Sequence, residues 1–469
     1  MKLYNLDKSY ESLLDTTITI NGWILTIRTQ KDITFIKLND GSNAKGIQLI
    51  APSDLPNLNL LNTGCSITAT GTLVRSPAKE QPYEMQVTSL VILGLANTDD
   101  YPLSKGKLAM DYLRKYAHLR SRTSSFGSIF RIKSAISHAT HMFFKERNFH
   151  HINPNIVTVN ECEGGAGVFQ LTERDISKPH VLPLVKDLSG NNNDTYDWKQ
   201  DHFDRPAFLT VSSQLQLEAL ACSLGSVYTT NKSFRSEHST TNKHLSEFEH
   251  LEIEDVFISL DDLMQTGEDY IKFVGTYLLE YAGDDIDNLG KFVSKGLRER
   301  VETIVGATFT RLKYIDAIKI LQEAKYLSKP AVYGDDLSSE YENYLTDYFK
   351  GPVFVSHWPS AIKSFYMKQL RNMNDSPTCE NFDLLMPYKV GELIGGSMRE
   401  DNLDTMIEIM KERNVSLDPL QFYLDLRRFG TVPHGGFGLG LDRMCMMFTG
   451  MENIKDVVAF PVHFKNCNY

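Results

Sequence analysis

At 469 residues the chain is long enough for two or three domains around a large core. Its 42% hydrophobic and 23% charged residues match ordinary globular usage, and no apolar run reaches the ~18 residues of a membrane span. A net charge of −10 argues against holding nucleic acid by bulk electrostatics, so neither a DNA nor a membrane partner is expected. The opening MKLYNLDKSYESLL carries acids and lacks an apolar centre, which predicts no signal or transit peptide. Six cysteines (Cys65, Cys162, Cys222, Cys379, Cys445, Cys467) are scattered without a CxxC pair, which fits a reducing, cytoplasmic setting better than a disulfide framework or a zinc site.

Along the chain, residues 17–95 read as β structure. TITINGWIL, TFIKLND, KGIQLIA, CSITATGTLV and YEMQVTSLVIL alternate apolar and polar positions and are separated by turn clusters such as Asp40-Gly41-Ser42. Short strands so closely spaced predict a small closed barrel, either an oligonucleotide-binding one or a barrel with no such role. From Tyr101 to Lys133 the basic residues Lys105, Lys107, Arg114, Lys115, Arg120, Arg122, Arg131 and Lys133 face one acid, Asp111. That local excess of about seven charges is either a solvated face or a contact for an anionic partner. Residues 124–148 have helical apolar spacing (Phe130, Ile132, Ile136, Met142, Phe143), and Pro154 stops any helix and biases Asn153 towards an extended form. Polar residues crowd 185–205, as in a surface insertion. Residues 270–350 alternate amphipathic helical runs with loops, and the last third returns to strands before a closing helix.

Three segments carry chemistry. In SFRSEHSTTNKHLSEFEHLEIED, residues 233–255, two strands flank a polar loop. Arg235 and Glu237 share one face of the first strand, and Phe248, Glu252 and Glu254 share one face of the return strand. This is either a charged, solvated hairpin or a nucleotide site, with arginine for phosphate, an aromatic for the base and an acid for the exocyclic amine. In HGGFGLGLDR, ending at Arg443, the glycines permit close backbone approach ahead of a helix that starts near Leu441. The segment is neither GxxxxGK[ST] nor a Rossmann turn, and packing alone also explains glycine-rich strands. In DLLMPYKVGELIGGSMRE, residues 383–400, Asp383 and Glu392 are either solvated loop acids or a pair for a hard cation, and Gly395-Gly396 leave room for a ligand ahead of Arg399.

Taken together, FRSE, HLSEF, TVPHGGFGLGLDR and the helix ending before Pro154 resemble, in order and spacing, the signature motifs of class II aminoacyl-tRNA synthetases, and more narrowly the aspartyl/asparaginyl/lysyl subgroup. VSSQLQLEALAC, IKSFYM, GELIGGSMRE and RRFGTVPHGGFGLG are similar to its asparaginyl members of the bacterial-type branch. The resemblance implies an α+β chain. An N-terminal five-stranded OB-fold β-barrel (residues 1–100) would bind the anticodon, and a basic hinge (101–122) would follow. A class II catalytic domain (123–469) would hold an antiparallel sheet flanked by helices, with a polar insertion near 172–207 and a helical region near 270–350. Aspartyl members carry a lysine where this chain has Leu217, which implies a neutral carboxamide substrate.

The same resemblance implies the site roles. Arg235 would bind the α-phosphate of ATP, Glu237 the adenine amine, and Phe248 one face of the ring. Arg443 would cover the other face and reach the γ-phosphate, with His244 assisting. Asp383 and Glu392 would hold Mg2+. Glu163, Ser212 and Gln214 would meet the α-amino group of asparagine, while Arg399 and Glu252 would read the two ends of its amide. Arg28, Phe35 and Gln48 would meet the anticodon of tRNA(Asn), and the assembly would be a homodimer. Arg235 and Arg443 would act on the transition state. Discrimination built on such polar pairing reaches ~10⁴-fold, so no editing domain is implied. Val462, Met398, Glu249 and His250 depart from the family pattern. The rival readings are an aspartyl-tRNA synthetase, including one that accepts both amino acids, and a non-catalytic tRNA-binding paralogue. A third, an asparagine-forming paralogue, typically lacks the barrel.

Overall fold

The computed structural model describes residues 1–79, 81–104, 108–160, 167–178, 182–186, 195–371 and 376–469. It divides into two compact units, one of Met1–Ser137, Tyr277–Val301 and Phe448–Phe460, the other of His138–Thr276, Glu302–Met447 and Pro461–Tyr469. Among the described residues no helix is long and apolar enough to cross a membrane.

In the first unit, α1 (Leu3–Leu13) precedes β1 (Thr17–Gln30), β2 (Ile33–Asn39), β3 (Ile47–Pro52), β4 (Ser66–Arg75) and β5 (Tyr83–Gly94). The strands close into a barrel in the order β1-β2-β3-β5-β4. Every second residue turns inward: Ile18, Ile20 and Ile24 from β1, Ile36 and Leu38 from β2, Ile47 and Leu49 from β3, as strand pleating requires. In the short α1, Leu3, Leu6, Tyr10 and Leu13 recur at helical steps; Leu3 and Leu6 join the barrel core and Tyr10 and Leu13 pack against it. Its Asp7 accepts from the Tyr83 hydroxyl and from Asn43 Nδ2. In the basic stretch, three arginines have intramolecular partners. Arg114 pairs with Asp456 at 2.6 Å, Arg131 with Asp285 at 2.8 Å, and buried Arg120 donates to Lys455 O at 2.9 Å. Lys105 and Lys107 lie outside the described residues.

The main elements that follow, in chain order and leaving out short strands and single turns, are α2 (Ser124–Glu146), β6 (His150–His151), α3 (Gln214–Leu224), β7 (Val227–Phe234), β8 (Glu247–Val256), α4 (Leu260–Tyr281), β9 (Thr310–Lys313), α5 (Tyr314–Glu323), α6 (Ser339–Phe349), β10 (Val353–Ser356), β11 (Asn381–Met386), β12 (Gly391–Met398), α7 (Leu403–Glu412), α8 (Gln421–Arg428), β13 (His434–Gly440) and α9 (Leu441–Thr449). Helices Gly283–Phe292 and Leu297–Gly306 complete the helical stretch, which β9 interrupts. An eight-stranded sheet runs β9-β10-β11-β12-β13-β8-β7-β6. It is antiparallel except for its two outermost pairs, β9 with β10 and β7 with β6.

Strand register sorts the second unit into an apolar face and a polar face. Leu251, Leu439, Ile394, Leu384 and Phe354 lie in one row across five strands, and Ile253, Phe437, Gly396 and Phe382 in the next. Gly267 of α4 packs against Ile394, Phe354 and Phe437. The other face bears Glu252, Gly438, Gly395 and Asp383 in one row and Glu254, Gly436, Ser397 and Asn381 in the next. Gly396 therefore faces the core and not a ligand. A Cβ there would lie 2.6 Å from the Phe382 ring and 2.8 Å from Phe437 Cβ. Gly396→Ala is expected to cost ~1–3 kcal/mol through overpacking, read as a lower urea midpoint for the second unit.

Candidate active site

The hairpin of β7 and β8 brings the expected nucleotide residues to one end of the polar face. Ser233 pairs with Phe248, and just beyond them the Arg235 guanidinium lies 5.4 Å from the centre of the Phe248 ring. The Arg235 amide donates to Ser246 O at 3.0 Å, so the arginine leaves the hairpin at a fixed point. Arg443 opens α9 and donates through Nη1 to Glu392 O at 2.7 Å, which ties the glycine-rich segment to β12. Glu237 and His244 lie beside this pair. Burial in the cleft, then Arg443, Arg235 and Lys243, hold the His244 imidazole below its ordinary value against the opposing charge of Glu237. Lys243 Nζ donates to Val390 O at 2.9 Å, and Glu342 of α6 feels the charges of Lys243 and Arg443. Neither Lys243 nor Glu342 is among the residues expected from the sequence.

Glycines on the polar face of β13 make room for the protein's own side chains. Gly436 lies under the Glu254 carboxylate, and a Cβ on Gly438 would stand 2.7 Å from His250 Nε2. His250 is one of the positions expected to depart from the family pattern. It is buried on the polar face, 3.1 Å from Ser233 Oγ through Nδ1 and 3.6 Å from Glu252 Oε1.

The acidic pair depends on a β-bulge. Asp383 opposes Gly395, but a shift between Leu384 and Leu385 pairs Leu385 with Glu392. Strict alternation would send Glu392 to the apolar face; the extra residue returns it to the side of Asp383. A Cβ on Gly395 would lie 3.3 Å from Glu392 Oε1 and 3.7 Å from Asp383 Oδ1, so the two carboxylates converge. Asp383 is buried and accepts from Lys363 Nζ at 2.7 Å, and Lys363 itself sits 3.9 Å over the Trp358 ring. Burial raises the Asp383 carboxyl against the Lys363 charge. Glu392 is open to solvent yet hemmed in by the sheet; that enclosure and then the Asp383 charge raise its carboxyl too, and solvent access moderates the shift.

At the other end of the face lie the expected amino-acid residues. Glu252 Oε2 accepts from the Ser213 amide at 2.9 Å, and its Oε1 from the Ser212 hydroxyl. Gln214 donates its amide to Ser212 Oγ at 3.2 Å and its Nε2 to Glu218 Oε1 at 3.0 Å. Arg399 donates from Nε to Glu254 Oε1 at 3.1 Å, from Nη2 to the same carboxylate, and from Nη1 to Ser397 Oγ at 2.6 Å. A guanidinium has more N–H groups than these contacts use, so Arg399 keeps donors for a ligand. Burial and the nearby Glu218 push the Glu254 carboxyl up to about 7 against the pull of Arg399.

Sequence reading placed the discriminating position at Leu217. The structure puts Leu217 in an apolar cluster with Ala221 and Val227. The next residue, Glu218, turns to the polar face and is fully buried. It accepts from Arg427 Nη2 at 2.8 Å and Tyr423 OH at 2.9 Å, with His434 Nε2 at 3.1 Å and Arg399 Nε at 3.6 Å. Burial works to raise its carboxyl, and Arg427, His434 and Arg399 outweigh that and hold it well below the usual range. Glu163 lies outside the described residues. On the barrel, Phe35 stands opposite Arg28, whose guanidinium lies 5.4 Å from its ring. Gln48, opposite Lys37, shares their outward face and donates to Ile36 O at 3.1 Å.

The His244 shift has a direct readout. Its imidazole is expected to stay neutral at pH 7 and to gain a proton only below 6.5 in an NMR titration. Arg443→Gln removes a neighbouring cation and is expected to move that midpoint upward; an unchanged midpoint would put Arg443 away from His244.

A family model of tRNA synthetases class II (D, K and N) matches residues 109–463, and an OB-fold nucleic acid binding domain model matches residues 18–93. The asparagine–tRNA ligase of Protochlamydia amoebophila is 41% identical over 458 residues, 96% of this chain and 95% of that one. That of Geotalea uraniireducens is 40% identical over 449 residues, 95% and 94% of the two chains. Among solved structures, the asparaginyl-tRNA synthetase of Pyrococcus horikoshii in complex with asparaginyl-adenylate superposes with a TM-score of 0.82 at 27% identity, covering 97% of each chain. The Entamoeba histolytica enzyme with the same adenylate gives 0.81 at 29%, again over 97% of each. With a family model spanning most of its length and relatives near 40% identity end to end, the chain belongs to the class II tRNA synthetases of the D, K and N group.

Proposed function

We propose that the chain is an asparagine–tRNA ligase, which activates L-asparagine with ATP and transfers it to the 3′ end of tRNA(Asn). The observation that carries the choice of amino acid is the pairing of a donor and an acceptor on one sheet face. Arg399 has spare N–H groups, and Glu252 has lone pairs beyond those used by Ser212 and Ser213. A carboxamide presents one acceptor end and one donor end, so this pair satisfies both, while a carboxylate would set an anion against Glu252. Curated relatives at 40–41% identity carry the same activity in their names.

In the first step the asparagine carboxylate attacks the α-phosphate of ATP and pyrophosphate leaves. Arg235 would stabilise the charge that builds on the phosphorus oxygens, with Phe248 stacking on the adenine and Glu237 accepting from its amine. Arg443 and His244 would hold the far phosphates. Asp383 and Glu392 fit a divalent cation: they converge over Gly395 and both have raised carboxyls, a condition that a hard cation relieves. Mg2+ bound there would neutralise charge on the pyrophosphate oxygens. Among the described residues no group of three or more metal-ligating side chains converges, so the remaining ligands would come from the nucleotide and water. Ser212, Gln214 and Glu163 would hold the α-amino group. In the second step a terminal ribose hydroxyl of the tRNA attacks the mixed anhydride. The protein's part is alignment, with Phe35 stacking on an anticodon base and Arg28 and Gln48 beside it.

We assign the assembly to a homodimer and the setting to the cytoplasm. Exposed apolar Val157, Val159, Phe203 and Phe422 support the first, and thiols outside any disulfide at Cys65, Cys222, Cys379 and Cys467 support the second. A monomer by light scattering at micromolar concentration would refute the dimer. The main test is ATP–pyrophosphate exchange with asparagine and aspartate in parallel. Asparagine is expected to support exchange and aspartate not. Arg235→Ala is expected to lower exchange at least ~100-fold with the fold intact. Exchange driven by aspartate alone would overturn the assignment.

A further inference from the structure

We propose that Glu218 is a specificity-determining positioning residue, whose buried carboxylate cancels the positive charge of Arg399 and leaves the amino-acid pocket without a cation for an anionic side chain. The inference rests on the reading of asparagine as the substrate, and deepens it by naming the group that makes the arginine unsuited to aspartate.

An arginine alone is a poor filter between a carboxamide and a carboxylate, because a guanidinium binds the anion better. Arg399 becomes selective only if its charge is already balanced. Two carboxylates balance it. Glu254 takes Nε and Nη2, and Glu218 stands 3.6 Å from Nε. The second cation of the cluster, Arg427, is bound to Glu218 at 2.8 Å. Two arginines thus face two carboxylates, and Glu252 adds a further negative charge on the pocket side. All of these groups are buried, where water and salt screen little, so the balance is felt at the substrate side chain.

Glu218 is the constant member of the two balancing acids. Its oxygens accept from Tyr423 OH, Gln214 Nε2 and Arg427 Nη2 between 2.8 and 3.0 Å, and His434 Nε2 approaches to 3.1 Å. A carboxylate so heavily solvated by protein donors stays ionised. Glu254 relies chiefly on Arg399, with a smaller pull from His434, and Glu218 itself works against its ionisation. Glu218 does not reach the substrate side of Arg399. It acts through the arginine, from α3, and through Gln214 it also fixes the turn that presents Ser212 and Ser213 to Glu252.

The test compares kcat/KM for aspartate and asparagine in pyrophosphate exchange, with the inhibition constant of aspartate against asparagine, in the full-length wild type, Glu218→Gln and Glu218→Gln/Arg427→Gln. Glu218→Gln keeps the shape and removes the charge. It is expected to raise the aspartate-to-asparagine ratio at least about tenfold, and the double variant, with the charge balance restored, to bring it back towards wild type. A structural role alone would lower both activities together. An unchanged ratio in a folded Glu218→Gln, or no detectable aspartate activation, overturns the proposal. If Glu218→Gln does not fold by circular dichroism, Arg427→Gln decides. That change leaves one more negative charge and is expected to weaken aspartate inhibition, and equal or tighter inhibition overturns the idea. A wild type that activates aspartate alone, or neither amino acid, refutes the function assignment, whereas an asparagine-active wild type with an unmoved ratio refutes only the role of Glu218.

Discussion

Between Leu384 and Leu385 the pairing of β11 with β12 slips by one residue, and the slip carries Glu392 to the face that already bears Asp383, Glu252 and Arg399. A sheet offers two faces and strict alternation, so every side chain that is to meet one ligand must share parity across all the strands involved. Here the requirement spans β7, β8, β13, β12 and β11. The register holds His250, Glu252 and Glu254 in line with the glycines of β13 and then with Gly395 and Ser397. The opposite parity builds the core from Leu251, Ile253, Phe437, Ile394 and Phe382. A one-residue slip elsewhere in this sheet would exchange the two sets, burying charge and exposing the core. The apolar face is therefore what fixes the position of the polar one.

Burial of so many charges has a thermodynamic side. Glu218, Glu254, Arg399 and Arg427 give up hydration that is worth several kcal/mol per ion, and they recover it through ion pairs with one another and hydrogen bonds to Gln214, Tyr423, Ser397 and Glu400 O. Such a network contributes little net stability compared with an apolar core of the same volume. What it supplies is rigidity: the donors of Arg399 point in fixed directions before any ligand arrives, and preorganised dipoles need no rearrangement during the reaction. The acidic pair over Gly395 follows a different logic. Lys363 balances one carboxylate while the other stays open to solvent, so charge there is left partly unmet, whereas Arg399 and Arg427 each face a carboxylate.

How much of this was legible in the sequence depends on how local each signal is. The barrel strands, the β7–β8 hairpin and the start of α9 were readable because period-two alternation and glycine punctuation are local. Arg235, Phe248, Glu252 and Arg399 were readable because even spacing puts them on shared faces and family motifs surround them. Glu218 was not, since its meaning comes from Arg427, 209 positions away, and the helical period of α3 cannot say which neighbour will carry a charge. Leu217 drew attention instead, and it lies in the core. The bulge was invisible because an extra residue leaves no compositional mark. The spacing of Leu3, Leu6, Tyr10 and Leu13 in α1 is helical, but only the barrel shows what that face covers. Lys243, Glu342 and Lys363 reach the site from separate segments that only tertiary structure brings together.

Val462, expected from the resemblance to depart from the family pattern after Phe460-Pro461, is joined to the hairpin by its main chain: Ser246 donates its amide to Val462 O at 2.9 Å. His238 adds a ring stack on Phe464, 4.6 Å between centres. A carbonyl is the same in every residue, so this tether survives a change of side chain at position 462. Evolution could thus let that position drift while the hairpin kept its anchor, and the tail would read as divergent in sequence long before it became divergent in shape.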